Sequence, residues 1–307
     1  MTISATCHYM RRWLRSLVSV KAVAALLSSF GALWLTVEIA TFFLKGTIWP
    51  DRIRAAWVWF GGIGVIVAAV QCKPPRTVAH KLNGRDVTIH ITIGDIFSMP
   101  GALIVGSNTT FDTRIANELI AASSIQGIFT RRYYSSESQL DQELSASLTG
   151  HPSTELSGPR IGKNRRYTYG TCARLSPKDR TAYFVAIADI NEHGIASSHI
   201  EALKDSLSHL WVFIGTRGTK EPLIIPILGT GFSRLSQTRE EIVHEIIRSF
   251  IAACSERTFA DSLTIAIAPQ DVAKHSISLD CLGAFLAHEC RYASFGNNSR
   301  PAIGTPA

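Results

Sequence analysis

The sequence predicts an α/β domain, built from a mixed sheet with helices on both faces, that follows a hairpin of two membrane-spanning helices. Two long apolar runs lie close to the N-terminus, and the rest of the chain alternates strand-like runs with amphipathic helices. Such an alternation is typical of a sheet covered by helices on both faces. The 307 residues, of which 46% are hydrophobic, are sufficient for both parts.

The first apolar run, residues 22–44, contains a single ionisable residue, Glu38, in 23 residues. A helix of this length spans about 35 Å, which is enough to cross the hydrocarbon core of a bilayer. The second run, residues 55–72, has 18 residues without a charge and spans about 27 Å. A cleaved signal peptide is the alternative for the first run, because three arginines precede it. A two-span hairpin is favoured, since the run exceeds the apolar core of a signal peptide, about 7 to 15 residues, and a second run follows.

These runs divide the chain into five parts. We expect a basic cytoplasmic N-terminus (1–21), a two-span transmembrane hairpin (22–72), a basic linker (73–85), the α/β domain (86–290) and a loose tail (291–307). Basic residues are concentrated before the first span and after the second, which predicts a cytoplasmic location for both ends and for the α/β domain. The tail is rich in Gly, Asn and Pro, a composition typical of disordered segments.

The basic character of the chain comes from its first part. Residues 1–85 contain 11 of the 31 Lys and Arg but 2 of the 24 Asp and Glu. The remaining residues therefore have a small negative charge, and the net charge of +7 is no argument for nucleic-acid binding. The six cysteines show neither a CxxC pair nor the spacing of a metal site, and a cytoplasmic domain keeps its thiols reduced. We expect no disulfide framework and no bound metal.

Six runs in the α/β domain have the β-branched and apolar composition of strands. They are residues 86–92, 102–107, 165–172, 181–188, 222–228 and 263–268. Several are too uniformly apolar to have a solvent-facing side, as expected for strands covered by helices. Helical periodicity marks residues 200–214 and 242–250, and the second follows a Thr238-x-x-Glu241 capping box.

Three turns that follow predicted strands contain residues suited to a ligand. They are TIGDIF (92–97), VGSNTTFDT (105–113) and ILGTGFS (227–233). Ligands of α/β sheets bind beyond the carboxyl ends of the strands, where these turns are expected to lie. Gly229 and Gly231 allow backbone N–H groups to point at an anion. By itself this loop is interpreted as a structural turn, because it has neither the lysine of a Walker loop nor the third glycine of a dinucleotide fingerprint.

In combination, GDIF before an apolar strand, an asparagine directly after that strand and IPILGTG later in the chain resemble a macro domain. Macro domains recognise ADP-ribose and related nucleotides, and the resemblance covers about residues 86–270. It implies that Asp95 and the backbone of Ile96 contact the adenine, and that Asn108 lies near the distal ribose. A turn-capping role is the alternative for Asp95.

The resemblance implies a set of ligand-binding residues on three sides of one site. They are Asp95, Ile96, Asn108, Gln126, Gly127, Ile128, Leu228, Gly229, Thr230, Gly231 and Phe232. The glycine loop would hold the diphosphate, with the ring of Phe232 near the ligand. No cofactor and no metal is implied besides the ligand, which is an ADP-ribose derivative.

Two features depart from the macro-domain hydrolases. Those enzymes usually have a glycine-rich loop after the asparagine, whereas residues 117–134 contain one glycine, Gly127. No catalytic acid or base is identified, and Asp112 is expected to be a helix N-cap. Residues 131–166 are expected to form a loop insertion near one end of the sheet, with one polar helix at 136–148. A non-enzymatic binding domain is favoured, and a membrane-tethered ADP-ribosyl hydrolase or deacetylase is the alternative.

A hairpin joined to a macro domain resembles, more narrowly, the membrane-bound macro-domain effectors of bacterial Thoeris anti-phage defence. The resemblance implies a functional partner with a TIR domain, which makes an ADP-ribose-derived second messenger from NAD without forming a stable complex. It also implies that the macro domain senses this nucleotide, after which the protein oligomerises and disrupts the inner membrane in an abortive defence. A nucleotide-regulated anchor without toxic output is a further alternative.

Two features of the apolar runs are candidates for this membrane activity. Gly61, Gly62 and Gly64 offer a surface on which helices can approach closely, with mere flexibility as the alternative. Glu38 is costly in lipid and is a candidate for contacts with other helices or with a pore. The alternative for Glu38 is a position near the outer interface, where water solvates it. The preferred ADP-ribose derivative and the size of the oligomer stay open at this point.

Overall fold

The computed structural model describes residues 20–43, 57–72, 75–115, 119–229 and 235–293. The chain divides into two compact units, Met1–Arg76 and Thr77–Ala307.

The N-terminal unit contains two apolar helices, α1 (Val20–Phe43) and α2 (Trp57–Gln71). Within α1, the 22 residues Ala22–Phe43 have a mean hydropathy of 1.7 and are long and apolar enough to cross a membrane. The 15 residues of α2 span about 22 Å, less than a hydrocarbon core of about 30 Å. In the described part of the chain, the span predicted at 55–72 is therefore a shorter apolar helix.

Gly64 lies where the two helices contact each other. A Cβ added to Gly64 would lie 4.0 Å from the backbone nitrogen of Phe30, whereas one added to Gly61 or Gly62 would have no described atom within that distance. Of the three glycines of the predicted close-approach surface, Gly64 is thus the one at a helix contact. The predicted connection between the spans falls within residues 44–56, which lie outside the described residues.

The second unit is built on a mixed β-sheet. Its strands are β1 Thr77–Lys81, β2 Thr88–Ile93, β3 Ala102–Asn108, β6 Cys172–Leu175, β7 Ala182–Ile190, β8 Ala196–Ser197, β9 Leu223–Pro226 and β10 Ser262–Ile267. The order is β1-β2-β10-β9-β3-β7-β6, with β8 paired to β7. The five central strands, β2, β10, β9, β3 and β7, are parallel, while β1 and β6 run antiparallel to β2 and β7. A separate pair of short strands, β4 (Ser153–Glu155) and β5 (Arg165–Tyr167), is antiparallel.

Helices cover both faces of this sheet. They are α3 Ile125–Tyr133, α4 Glu137–Ser147, α5 Ile200–Arg217, α6 Arg239–Glu256, α7 Pro269–His275 and α8 Leu279–Tyr292. On one face α5, α6 and α8 contribute to a core in which the rings of Trp211 and Phe250 are 5.3 Å apart. On the other face α3 and α4 contribute to a core in which Phe129 and Phe184 are 5.3 Å apart. The predicted mixed sheet with helices on both faces is confirmed.

The capping box predicted for α6 is present. Thr238 Oγ1 accepts a hydrogen bond from the backbone N–H of Glu241 (3.2 Å), and the backbone N–H of Thr238 donates to Glu241 Oε2 (2.7 Å). These bonds satisfy groups at the start of the helix that have no intrahelical partner. Because Thr238 donates to it, the Glu241 carboxylate is stabilised and its pKa is lowered.

The predicted basic linker at 73–85 contains an edge strand. β1 (Thr77–Lys81) pairs with β2, and Val78 packs against the core beneath α8, where a Cβ on Gly283 would lie 2.9 Å from its Cγ1. The linker prediction is wrong for these five residues. An edge strand buries one side only, and the polar or small residues on the other side of β1 give it the composition of a linker. At the other end, α8 continues to Tyr292, beyond the predicted domain limit at 290.

The strand predicted at 165–172 is divided in two. β5 ends at Tyr167 and β6 begins at Cys172. Between them the backbone N–H of Thr171 donates to the carbonyl of Thr168 in a turn (3.2 Å), and Gly170 has φ of +77°. Glycine adopts this left-handed conformation without steric cost, so it interrupts the strand here.

His244 makes stability depend on pH. Its ring, on α6, stacks at 3.7 Å on Phe285 of α8. Burial lowers the pKa of this imidazole, and Arg248 adds to the effect. The folded protein therefore binds the proton less readily than the unfolded chain. The contribution of neutral His244 to the free energy of unfolding is therefore fully present above the ordinary histidine pKa of about 6.5. It is lost as the pH falls below that value.

We expect the melting temperature of the full-length protein in detergent to fall between pH 7 and pH 5, and to fall less in His244→Gln. Differential scanning calorimetry over this range measures the effect. His193→Gln is the matched control, because the side chain of His193 is 75% exposed. An unchanged pH slope in His244→Gln would contradict the assignment.

Candidate ligand-binding cleft

A cleft of about 490 Å³ opens at the carboxyl ends of the parallel strands. It is lined by the turns that follow β2, β3, β9 and β10 and by the start of α3. Seven residues predicted as ligand-binding line it: Asp95, Ile96, Asn108, Gln126, Ile128, Leu228 and Gly229. Gly127 lies in the first turn of α3 between two of them. Thr230, Gly231 and Phe232 lie outside the described residues.

Asp95 begins the turn after β2 and is exposed. Its Oδ1 accepts a hydrogen bond from the backbone N–H of Phe97 (3.0 Å), at the start of the short 3₁₀ helix Ile96–Ser98. The turn-capping role is therefore present. One carboxylate oxygen performs it, and a carboxylate has a second oxygen to offer to a ligand.

Gly127 is required by a close approach of two backbones. Ser124 caps α3 by accepting a hydrogen bond from the Gly127 N–H (3.0 Å). A Cβ on Gly127 would overlap the carbonyl oxygen of Ala121 and lie 3.1 Å from Cα of Ala122. The loop before α3 thus packs directly on its first turn. This helix N-terminus, whose first N–H groups have no intrahelical partner, borders the cleft.

Gly229 follows β9 with φ of +68°, a conformation that favours glycine. A Cβ at this position would also overlap Cδ1 of Leu235. Gly229 therefore turns the chain tightly at the edge of the cleft, as the sequence predicts for the first glycine of the loop.

Asn108, the last residue of β3, is 6% exposed and held by Asp112. Its Nδ2 donates to Asp112 Oδ2 (3.1 Å), and its Oδ1 accepts from the backbone N–H of Asp112 (3.0 Å). The prediction that Asp112 is a helix N-cap is wrong. Asp112 is 2% exposed and its carboxylate also accepts hydrogen bonds from Thr110 Oγ1 and from the backbone N–H of Lys163 (2.8 Å).

The insertion at 131–166 reaches this carboxylate. Its predicted polar helix is α4, and beyond that helix Lys163 Nζ donates to the carbonyl of Phe111 (2.7 Å) and forms an ion pair with Asp141. Gly162 packs so closely on Asp112 that a Cβ would lie 2.8 Å from Oδ1. Gly162 and Lys163, which were predicted to lie in a surface loop, therefore pack against the buried Asp112 that holds Asn108.

Several residues of the cleft were not predicted from the sequence. Gln270 and Asp271 follow β10 and line it, and the rule that ligands bind at strand ends could have identified them. Ser107 also lines the cleft, is 4% exposed, and its hydroxyl has no hydrogen-bond partner among the described residues. No sequence signal distinguishes Ser107 from an ordinary strand residue.

The described lining residues include two acids, Asp95 and Asp271, and no Lys, Arg or His. An anionic group in the described part of the cleft would therefore be held by backbone N–H groups. The first turn of α3 and the turn at Gly229 are the backbone segments placed for this.

The family model described as "Thoeris protein ThsA, Macro domain" matches residues 89–268. A curated relative, Thoeris protein ThsA of Bacillus amyloliquefaciens (strain Y2), is 26% identical over 175 residues. This match covers 55% of the chain and 57% of the relative, so the chain spans little more than half of that protein's length.

Two solved structures were also found to be similar. The Oceanobacillus iheyensis macrodomain with ADP is 12% identical, with a TM-score of 0.46, over 71% of this chain and 97% of that one. The Trypanosoma brucei macrodomain in complex with ADP-ribose is 11% identical, with a TM-score of 0.40, over 61% of this chain and 66% of that one. The family model matches more than half of the chain, which therefore belongs to the Thoeris ThsA macro-domain family.

Proposed function

We propose that this protein is a membrane-anchored sensor of anti-phage defence that binds an ADP-ribose-derived nucleotide in the cleft of its macro domain. The observation that carries the proposal is that the described parts of the three predicted strand-end motifs converge on one cleft. Its volume of about 490 Å³ is within the usual range for small-molecule sites, about 300–1,000 Å³. Membership of the Thoeris ThsA macro-domain family supports the class of ligand.

Each part of such a ligand has a suitable neighbour in the cleft. The second carboxylate oxygen of Asp95 can accept a hydrogen bond from the amino group of adenine, beside the backbone of Ile96. The N–H groups of Ile125 and Gln126, the first two residues of α3, and that of Gly229 can bind the diphosphate. Asn108 can donate a hydrogen bond to the distal ribose. We assign no cofactor and no metal to the site.

The surroundings of Asp112 support binding over hydrolysis. Asp112 is the carboxylate next to Asn108, and its oxygens already accept three hydrogen bonds. A general base must be able to reach the proton that it removes, and the oxygens of this buried carboxylate are engaged by protein donors instead. We therefore propose a receptor rather than an ADP-ribosyl hydrolase or deacetylase.

For the membrane part we propose two spans, α1 and a span built on α2, with both ends of the chain in the cytoplasm and the protein in the inner membrane. The length and hydropathy of α1 support an anchor. A nucleotide that binds an assembled state more tightly would drive oligomerisation by its difference in affinity, and the assembly would then disrupt the membrane. Glu38 lies exposed on α1, where contacts with other copies would relieve the cost of its charge in lipid. The signal would come from a TIR-domain protein acting on NAD.

The proposal is tested by titrating the full-length protein in detergent micelles with ADP-ribose. We expect saturable binding in isothermal titration calorimetry, and much weaker binding of adenosine, which lacks the diphosphate. Chromatography of an ADP-ribosylated protein and of O-acetyl-ADP-ribose after incubation should show no turnover. Absence of ADP-ribose binding would contradict the site, and multiple turnovers would contradict a receptor.

The effector step is tested separately in cells. We expect the full-length protein to collapse the membrane potential only when the nucleotide signal is present. A potential that stays unchanged with the signal bound would favour a nucleotide-regulated anchor without toxic output.

A further inference from the structure

Asp112 is a buried acid next to the cleft: its carboxylate is bonded to the lining residue Asn108, and its backbone carbonyl to the lining residue Gln126. Asp112 is 2% exposed, and no ion pair with a Lys, Arg or His side chain is found for it in the part of the chain that the structure describes. Its oxygens instead accept hydrogen bonds from Asn108 Nδ2, Thr110 Oγ1 and the backbone N–H of Lys163. Burying a charge is costly unless hydrogen bonds compensate it, and these three bonds do so while holding the carboxylate in one orientation.

Asp112 fixes the orientation of the Asn108 side chain. A carboxylate can only accept hydrogen bonds, so the NH₂ end of the Asn108 amide must face Asp112 Oδ2 (3.1 Å). The carbonyl end is held in turn, because Oδ1 accepts from the backbone N–H of Asp112 (3.0 Å) and lies 3.2 Å from Thr110 Oγ1. The amide cannot rotate by half a turn without losing these bonds. What Asn108 retains for a ligand is the second N–H of Nδ2, which is a donor.

Asp112 also holds the side chain of Gln126. Its Nε2 donates to the backbone carbonyl of Asp112 (2.6 Å), and Gln126 is 4% exposed. The same residue therefore orients two amide side chains that line the cleft, one at the end of β3 and one in the first turn of α3.

A strap from the insertion, Gly162 and Lys163, covers the carboxylate. Gly162 has φ of +108°, and a Cβ on it would lie 2.8 Å from Asp112 Oδ1. Lys163 is fixed by its side chain, which bonds to the carbonyl of Phe111 and pairs with Asp141. The backbone N–H of Lys163 bonds Oδ1, whereas Asn108 bonds Oδ2, so the strap helps the carboxylate to keep its orientation.

We propose that Asp112 is a positioning residue that makes Asn108 a hydrogen-bond donor toward the cleft. The cleft then selects ligands that present an acceptor oxygen at this point, such as a ribose hydroxyl oxygen or a phosphate oxygen. This inference rests on the proposed function, because Asn108 matters for recognition only if the cleft binds the nucleotide.

The test is a double-mutant cycle on the full-length protein in detergent, with ADP-ribose as the probe in calorimetry. In Asp112→Asn the residue at 112 can donate as well as accept, so Asn108 loses its fixed orientation and affinity falls about tenfold or more. Asn108→Ala is expected to lose a similar factor. The double variant should lose no more than Asn108→Ala alone, because Asp112 acts through Asn108. Losses that multiply would overturn the proposal.

A reciprocal exchange separates positioning from stability. Asn108→Asp combined with Asp112→Asn restores the hydrogen bond between the two positions with its polarity reversed, so the melting temperature should recover. Affinity should not recover, because an acceptor then faces the cleft. Recovery of both would show that Asp112 is a structural anchor and nothing more. Asp86→Asn, at an acid that pairs with Lys81 and does not line the cleft, should leave the affinity within about twofold of the wild type.

A measurement that needs no ligand distinguishes failure of the proposed function from failure of the positioning role of Asp112. If the wild-type protein does not bind ADP-ribose, the proposed function fails. Exchange of the Asn108 side-chain amide protons with deuterium, followed by NMR, still decides the inference. We expect slow exchange in the wild type and fast exchange in Asp112→Asn, and equal rates would refute the positioning role.

Discussion

Asp95→Asn is expected to lower the affinity for ADP-ribose about tenfold or more while leaving thermal stability unchanged. Oδ1 of Asp95 accepts the hydrogen bond from the backbone N–H of Phe97. Asparagine can keep this bond only by turning its carbonyl oxygen toward Phe97, which puts its NH₂ group where the second carboxylate oxygen was. A donor then faces the amino group of adenine, which is also a donor. Losing a hydrogen bond to a charged acceptor costs about 1.5–3 kcal/mol.

Calorimetric titration and thermal unfolding of the same samples measure both quantities. Asp95→Ala should lose the same affinity and about 1 kcal/mol of stability as well, because it also removes the cap. Asp86→Asn is the matched control. Asp86 lies just before β2, forms an ion pair with Lys81 and does not line the cleft. Wild-type affinity in Asp95→Asn would show that Asp95 is a turn cap only.

Replacing Leu27 and Leu35 together by arginine is expected to release the protein from the membrane. Both side chains lie on α1 and are 65% and 61% exposed, so arginine fits there without disturbing a core. An arginine near the centre of a membrane-spanning helix costs about 2.5–3.5 kcal/mol, so two shift the partition by roughly 10⁴-fold. Fractionation of cells followed by a carbonate wash measures the change.

Leu27→Ile with Leu35→Ile is the control and should stay in the membrane, because isoleucine is as apolar as leucine. The affinity for ADP-ribose should be the same in both double variants, since the cleft belongs to the second unit. If the arginine variant remains in the washed membranes and still collapses the membrane potential with the signal, α1 is not the anchor.

Several elements could be predicted because their signal is local. The periodic apolar residues of α5, and the capping box at Thr238 and Glu241, specify helices through contacts within a few residues. The uniformly apolar β3, β7 and β9 indicate parallel strands because a strand covered on both faces has no solvent-facing residues. The turns after β2, β3 and β9 could be placed at the cleft because ligand sites follow strand ends in such sheets.

Other elements could not be predicted because they depend on distant partners. β1 is a strand only because β2 and α8 lie beside it, so its own residues look like a basic linker. The strap at Lys163 looks like a surface loop, because its contacts with Phe111 and Asp112 join residues more than 50 positions apart.

The sequence by itself determined that a macro domain of mixed sheet and helices follows an apolar N-terminal region, and that the GDIF, GSN and ILG turns lie at strand ends. Composition and short-range periodicity contain that information. The tertiary structure decided what the side chains in those turns do. It buried Asp112, which the sequence predicted to cap a helix, so that its carboxylate accepts a hydrogen bond from Asn108 and its backbone carbonyl accepts one from Gln126. The physical reason is that a buried charge is stable only where donors from several segments converge, and only folding brings those segments together.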